Sequence, residues 1–184
     1  MSKVPENVIV IFDEAYHEYA VSEDYPHGLD YVKDGWENVV VMYTFSKIYG
    51  LAGLRVGYSI ASEKLLSWVY RTREPFNVNS IAQAGAIGAI HDKAHLEMSR
   101  KVNNEGAEYI YGELVGMGLS FVKTNANFIW ININQDCVPV FEKMMKKGVI
   151  IRTGNVFGYQ NYIRVTIGTM DENKRFIQTL KEVL

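Results

Sequence analysis

Thr44-Phe45-Ser46-Lys47-Ile48-Tyr49-Gly50-Leu51-Ala52-Gly53-Leu54-Arg55-Val56-Gly57 is the stretch on which the reading of this chain turns. It follows Val39-Val40-Val41-Met42-Tyr43, a short apolar run rich in β-branched residues. Such a run, closed by polar residues, predicts a strand buried on both faces of a sheet. Val8-Ile9-Val10-Ile11-Phe12 has the same character and ends at Asp13-Glu14-Ala15-Tyr16. A weaker third run is Arg55-Val56-Gly57-Tyr58-Ser59-Ile60. Between the first two, Ser22 to Glu37 contains Pro26, Gly28 and Gly35, which predicts loop with a short helix rather than a regular crossover.

Further along, Ser62 is placed to cap a helix whose Leu65, Leu66, Val69 and Tyr70 fall at helical spacing, with Pro75 as its stop. Ser80 to His91 predicts an Ala/Gly-rich helix, and Asp92 to about Val115 a long one ending near Gly116 and Gly118. Beyond Gly118 the spacing predicts strands at Leu119–Val122, Asn127–Ile133, Val149–Arg152 and Tyr162–Ile167. Helices are predicted at Val138–Lys147, stopped by Gly148, and at Asp171–Leu184. The expected class is α/β: a mostly parallel sheet with flanking helices, then a small α+β domain, with a boundary near Gly118.

Open α/β sheets bind ligands just outside the carboxyl ends of their strands. Asp13 and Lys47 both fall at such ends. By position alone, the favoured reading is that Asp13 caps a turn and Lys47 is a solvated loop residue. The neighbours of Lys47 change the balance. Thr44, Ser46, Gly50, Gly53 and Gly57 supply hydroxyls and close-approaching backbone, which can hold a phosphate. Arg55 adds a permanently charged fork suited to the same group. Asp13 could hold a protonated ring nitrogen, and Tyr16 could hydrogen-bond a phenolic oxygen. An amine, a phosphate cup and a carboxylate are what pyridoxal 5′-phosphate requires.

Phe12-Asp13-Glu14-Ala15-Tyr16-His17-Glu18-Tyr19 and Thr44 to Tyr58 resemble the fold-type I pyridoxal-phosphate-dependent aminotransferases. So do Arg71-Thr72-Arg73-Glu74-Pro75-Phe76-Asn77-Val78-Asn79, Thr124-Asn125-Ala126-Asn127-Phe128 and Tyr162 to Thr169. Within that group the chain is similar to the C-terminal half of the histidinol-phosphate aminotransferase family. The resemblance covers essentially the whole chain. It implies that Lys47 is the Schiff-base lysine, Asp13 the acid at the pyridine nitrogen and Tyr16 the tyrosine at the cofactor's phenolic oxygen. Thr44, Ser46 and Arg55 would hold the cofactor phosphate. Arg164 would hold the substrate's anionic end, Arg152 a second contact to its phosphate, and Asn127 a further substrate contact. Ile48 departs from the family's small residue after the lysine; it would either crowd the cofactor floor or face the core.

The resemblance further implies three parts: 1–91 as the C-terminal portion of the cofactor-binding large domain, 92–117 as an interdomain helix, and 118–184 as the small domain. It implies transfer of an amino group from histidinol phosphate to 2-oxoglutarate, forming glutamate, in histidine biosynthesis. A homodimer or other self-association is the expected partner state. The family's chains are markedly longer, and the match starts at the strand carrying Asp13. The expectation is therefore a fragment, inactive alone and weak in binding the cofactor. An aromatic-amino-acid aminotransferase, a related decarboxylase, and a non-catalytic partial domain that only associates remain as alternatives.

Composition narrows the other classes. The 184 residues carry a formal net charge of -2, which disfavours a nucleic-acid partner. No apolar run approaches the roughly 18–20 residues of a membrane span, and the start shows no signal-peptide pattern. The single Cys137 excludes an internal disulfide and fits a reducing cytoplasm. No metal is expected: His91 and His95 have a ligand-capable spacing, but no Cys or acidic cluster supports them. Ser46 beside Lys47 lacks the Gly-x-Ser-x-Gly setting of a hydrolase, and Gly50-x-x-Gly53 lacks dinucleotide spacing.

Overall fold

The structure is a computed structural model that describes residues 3–22 and 24–184. It divides into two compact units, Met1–Leu96 and Glu97–Leu184. The first is built on a three-stranded sheet. β1 (Val10–Asp13) pairs in parallel with β2 (Val39–Thr44), with Val10 opposite Val39 and Asp13 opposite Met42. The link between them carries a six-residue helix, α1 (Gly28–Lys33), as its turn-rich composition predicts. β3 (Gly57–Ala61) lies on the other side of β2 and runs antiparallel to it. The sheet is therefore mixed. α2 (Glu63–Thr72) starts at the predicted cap, where the Ser62 hydroxyl accepts from the Leu65 N–H. α3 (Ser80–His91) has the predicted bounds and is capped by Asn79.

Expected burial on both faces of the first two strands does not hold. Val39, Val41 and Tyr43 are buried, but Met42 on the opposite face of β2 is exposed and Ile11 on β1 is 59% exposed. Only one face of the sheet is covered, by Tyr31, Val32 and Trp36 from α1 and the turn after it. β1 also sits at the edge of the sheet order β1-β2-β3. The hydrophobic pattern is that of a strand with cover on two sides, and the described residues provide cover on one.

The second unit starts within α4 (Lys93–Gly116) and holds a four-stranded antiparallel sheet of order β4-β5-β7-β6. The strands are β4 (Ser120–Val122), β5 (Phe128–Asn132), β6 (Arg152–Thr153) and β7 (Tyr162–Thr166), with α5 (Cys137–Lys146) and α6 (Met170–Val183). The predicted alternation is realised: Ile129, Ile131, Ile163 and Val165 enter a core with Ile110 and Leu114 of α4 and Ile177 and Leu180 of α6. Phe128, Trp130 and Asn132 of β5 and Tyr162, Arg164 and Thr166 of β7 lie on the opposite face. β6 is shorter than predicted: Val149–Ile151 are not strand, and Ile151 packs into the core instead. Gly148 ends α5 with φ +79, the left-handed conformation that suits glycine.

Asn173 on α6 is 2% exposed and clamps the turn before that helix, accepting from Gly168 N–H (2.9 Å) and donating to Gly168 O (3.0 Å). Gly106 of α4 makes room for it, since a Cβ there would lie 2.6 Å from Asn173 Nδ2 and 2.7 Å from Ile167 Cγ2. Both neighbours are held, one by its two hydrogen bonds and one in the core. Gly106→Ala is expected to lower stability by about 1–3 kcal/mol through overpacking, measured as the urea midpoint at unchanged m-value.

Candidate functional site

The mixed pairing of the first sheet gathers three chain segments at one end. Because β1 and β2 are parallel, Asp13 and Thr44 both terminate strands at that end. Because β3 is antiparallel, its start lies there too, with Gly57 opposite Thr44. Arg55, two residues before Gly57, is thus returned to the loop that carries Lys47. Gly57 has a steric reason to be glycine: a Cβ would stand 2.7 Å from the Tyr43 carbonyl oxygen.

The loop after β2 is held by its own backbone. Gly50 N–H bonds Lys47 O (2.9 Å), Leu51 N–H bonds Phe45 O (2.9 Å), and Phe45 N–H bonds Val56 O (3.2 Å). Thr44 Oγ1 accepts from Ser46 N–H at 3.1 Å, which tightens the turn entering Lys47. Lys47 is half-buried, with Nζ 5.0 Å from the centre of the Tyr16 ring. Among the described residues it makes no ion pair. Ile48 is 2% exposed, and its carbonyl accepts from His95 Nε2 at 3.0 Å. Of the two readings of that residue, the structure supports the one in which it faces the core.

Asp13 is exposed at the end of β1, and its Oδ1 accepts from Ala15 N–H at 3.2 Å. That is the bond of a turn cap, and it leaves the second oxygen outside it. Arg55 has φ +55, left-handed for a residue with a Cβ, and its Nη1 donates to Ala52 O at 2.8 Å. The remaining guanidinium donors are not used by that bond. Beneath these groups lie the buried Glu14 and Glu18. Glu14 Oε1 accepts from Gly28 N–H, tying the end of β1 to α1. Burial raises the Tyr43 hydroxyl above its ordinary range, and Glu14 adds to the rise. Burial likewise raises Tyr25 and Tyr58, with Glu18 contributing to both. These phenols stay protonated, as donors, through the neutral range.

In the second unit, Arg152 on β6 lies directly opposite Arg164 on β7, and Arg164 in turn lies opposite Trp130 on β5. The three side chains share the non-core face of the sheet. The Arg164 guanidinium sits 4.8 Å from the centre of Phe128, and that of Arg152 sits 5.9 Å from the centre of Phe157. Asn127, just before β5, uses its carbonyl to accept from Ile167 N–H. Residue chemistry alone gave no place to Phe128 and Phe157 as neighbours of the arginines. Their signal was only that Phe128 alternates with the core isoleucines, on the face that also carries Arg164.

The structure thus brings Asp13, Tyr16, Thr44, Ser46, Lys47 and Arg55 to one end of the first unit, and pairs Arg152 with Arg164 in the second. Among the described residues no group of three or more His, Cys, Asp or Glu could hold a metal ion. Among the described residues no helix is long and apolar enough to cross a membrane.

Residues 1–180 match the model of the family "Aminotransferase class I and II", and the chain belongs to that family. It is 50% identical over its full length to a histidinol-phosphate aminotransferase of Moorella thermoacetica, covering 48% of that protein. It is 42% identical to the histidinol-phosphate aminotransferase of Caldicellulosiruptor saccharolyticus, covering 51% of it. A crystal structure of histidinol-phosphate aminotransferase from Sinorhizobium meliloti in complex with pyridoxal-5′-phosphate superposes on 98% of this chain with a TM-score of 0.88 at 27% identity. The chain covers 50% of that structure. It spans about half the length of the curated relatives it matches.

Arg55 carries a separable expectation for stability. Arg55→Gly removes one exposed hydrogen bond and relieves a left-handed φ, effects of about 0.5–1 kcal/mol each and opposite in sign. The thermal midpoint is expected to move by no more than a few degrees, read by circular dichroism.

Proposed function

We propose that this chain carries the lysine-bearing part of a pyridoxal-phosphate-dependent aminotransferase that moves the amino group of histidinol phosphate to 2-oxoglutarate in histidine biosynthesis. The donor set of the first unit fits the cofactor. Asp13 offers a carboxylate for the ring nitrogen, Tyr16 a phenol for the ring oxygen, and Lys47 an amine for the aldehyde. Thr44, Ser46 and Arg55 offer hydroxyls and a guanidinium for the phosphate. When bound, pyridoxal phosphate supplies an aldehyde to take up the amino group and a cationic ring to withdraw electrons from the substrate's Cα. Lys47 moves the Cα proton as general base and acid. Its Nζ is close to the face of the Tyr16 ring, which restricts where the amine can stand. Asp13, exposed at the end of β1, would face the ring nitrogen and keep it protonated.

The observation that supports a phosphorylated substrate is the second unit's pair of arginines, directly opposed across β6 and β7. One arginine serves a carboxylate; two side by side match a phosphate dianion, which accepts charge-assisted bonds from both. Asn127 is proposed as a further substrate contact. We place the large-domain portion at 1–91, the connecting helix at 92–117 and the small domain at 118–184, and the protein in the cytoplasm, where the buried free Cys137 stays reduced. Ile9, Ile11, Met42 and Tyr58 expose apolar surface on and beside the first sheet. Burying it favours self-association, as in a homodimer.

Borohydride reduction with pyridoxal phosphate is expected to leave one phosphopyridoxyl group on Lys47, water being lost on imine formation and two hydrogens gained on reduction, read by peptide mass spectrometry. Lys47→Ala should abolish that specific addition. Labelling of Lys47→Ala to the same extent as the native chain would remove the assignment. Histidinol phosphate is expected to stabilise the chain against heat at about tenfold lower concentration than phenylalanine, from the extra charge-assisted bonds. Equal effects would remove the preference for a phosphorylated substrate. In sedimentation the chain is expected to run larger than 21.0 kDa; a well-behaved monomer would contradict the association.

A further inference from the structure

We propose that Phe128 and Phe157 are positioning residues for the arginine pair: each holds one guanidinium against a ring face, fixing it without neutralising it. This rests on the reading of Arg152 and Arg164 as contacts to the substrate's anionic group.

Two like charges directly opposite in an antiparallel pair repel each other. A protein usually relieves such a pair with a carboxylate. The second unit has the ion pairs Lys101–Glu105, Lys147–Glu182 and Lys181–Glu113, and these three draw on lysines. Among the described residues neither arginine has an ionic partner. A carboxylate would fix a guanidinium, but it would also compete with any incoming anion for the same donors. An aromatic face attracts the cation through its quadrupole and leaves the net charge intact. Phe128 at 4.8 Å from Arg164 and Phe157 at 5.9 Å from Arg152 are therefore supports that keep both charges available.

The placement of Phe157 is built into the backbone. It ends the 3₁₀ turn Asn155–Phe157, and Phe157 N–H bonds Gly154 O at 2.8 Å. Gly154 N–H bonds Tyr162 O at 2.7 Å, which fastens the turn to β7 two residues from Arg164. Gly154 admits no side chain, since a Cβ would lie 2.5 Å from Tyr159 O and 2.6 Å from Tyr162 O. Trp130 meets the Phe157 ring at 6.0 Å and 71°, meets Tyr159 edge-on at 5.8 Å and stacks on Tyr162 at 5.5 Å and 15°. Phe157 is nonetheless 52% exposed, so its placement is not accounted for by core burial. The ring serves the guanidinium beside it.

The test is calorimetric titration of the full chain with inorganic phosphate at constant ionic strength. An Arg55→Gly background silences the proposed phosphate cup of the first unit. Phosphate is expected to bind saturably, and Phe128→Leu and Phe157→Leu each to weaken it about two- to fivefold. Phe157→Tyr, which keeps the ring face, should restore the native value, and the unfolding midpoints should not track these changes. Three results separate the possibilities. No saturable binding in the background chain, or an equal response to chloride, overturns both this inference and the arginine reading beneath it. Phosphate binding lost in Arg152→Gln and Arg164→Gln but unchanged in both leucine variants overturns this inference alone. Weakening by Phe157→Tyr equal to that by Phe157→Leu also overturns it, because the ring face would then have no part.

Discussion

The first unit depends on the two-sided pairing of β2. Parallel to β1 and antiparallel to β3, it carries the ends of three segments to one edge of the sheet. Were β3 parallel, Arg55 would enter the sheet at the far end from Thr44. The close approach of Gly57 to the Tyr43 carbonyl is part of the same constraint, because it lets β3 begin directly opposite the end of β2. Asp13, Lys47 and Arg55 share an end of the sheet through this pairing, although 42 positions of sequence separate the first from the last.

The second unit solves a different problem with the same alternation rule. Residues on one face of β5 and β7 close a core against α4 and α6, and those on the other carry aromatic rings and two arginines. The core face is self-sufficient, with isoleucines at 0% exposure and a capping box at Thr169 and Glu172 starting α6. The hydrogen bonds from Thr169 hold the Glu172 carboxyl below its usual range, so this cap contributes at neutral pH and is lost as the solution is acidified through that carboxyl's titration. A firm core of this kind can hold like charges on its outer face despite their repulsion.

Sequence and structure agree best where a local rule governs. Ser62 caps α2, Gly148 stops α5, and α3 has the bounds read from its composition. The lysine-bearing stretch was legible because hydroxyls, glycines and an arginine crowd one amine within a few residues. The disagreements lie where burial depends on distant neighbours. Ile11 and Met42 have the composition of doubly covered strands and are exposed, because cover for a sheet face must come from other elements. Val149–Ile151 looked like strand, yet it is the core that claims Ile151, and only Arg152 and Thr153 join the ladder.

The sequence by itself determined the family, the element order and the chemical types near Lys47, since these follow from short-range patterns of residue type. Only the tertiary structure decided which residues face each other. The antiparallel direction of β3, the burial of Ile48, the opposition of Arg152 to Arg164 and the ring beneath each arginine come from pairing register and loop geometry. Register relates residues far apart in the chain. A shift of one position would turn each arginine to the other face of the sheet, and no local pattern within either strand records its partner.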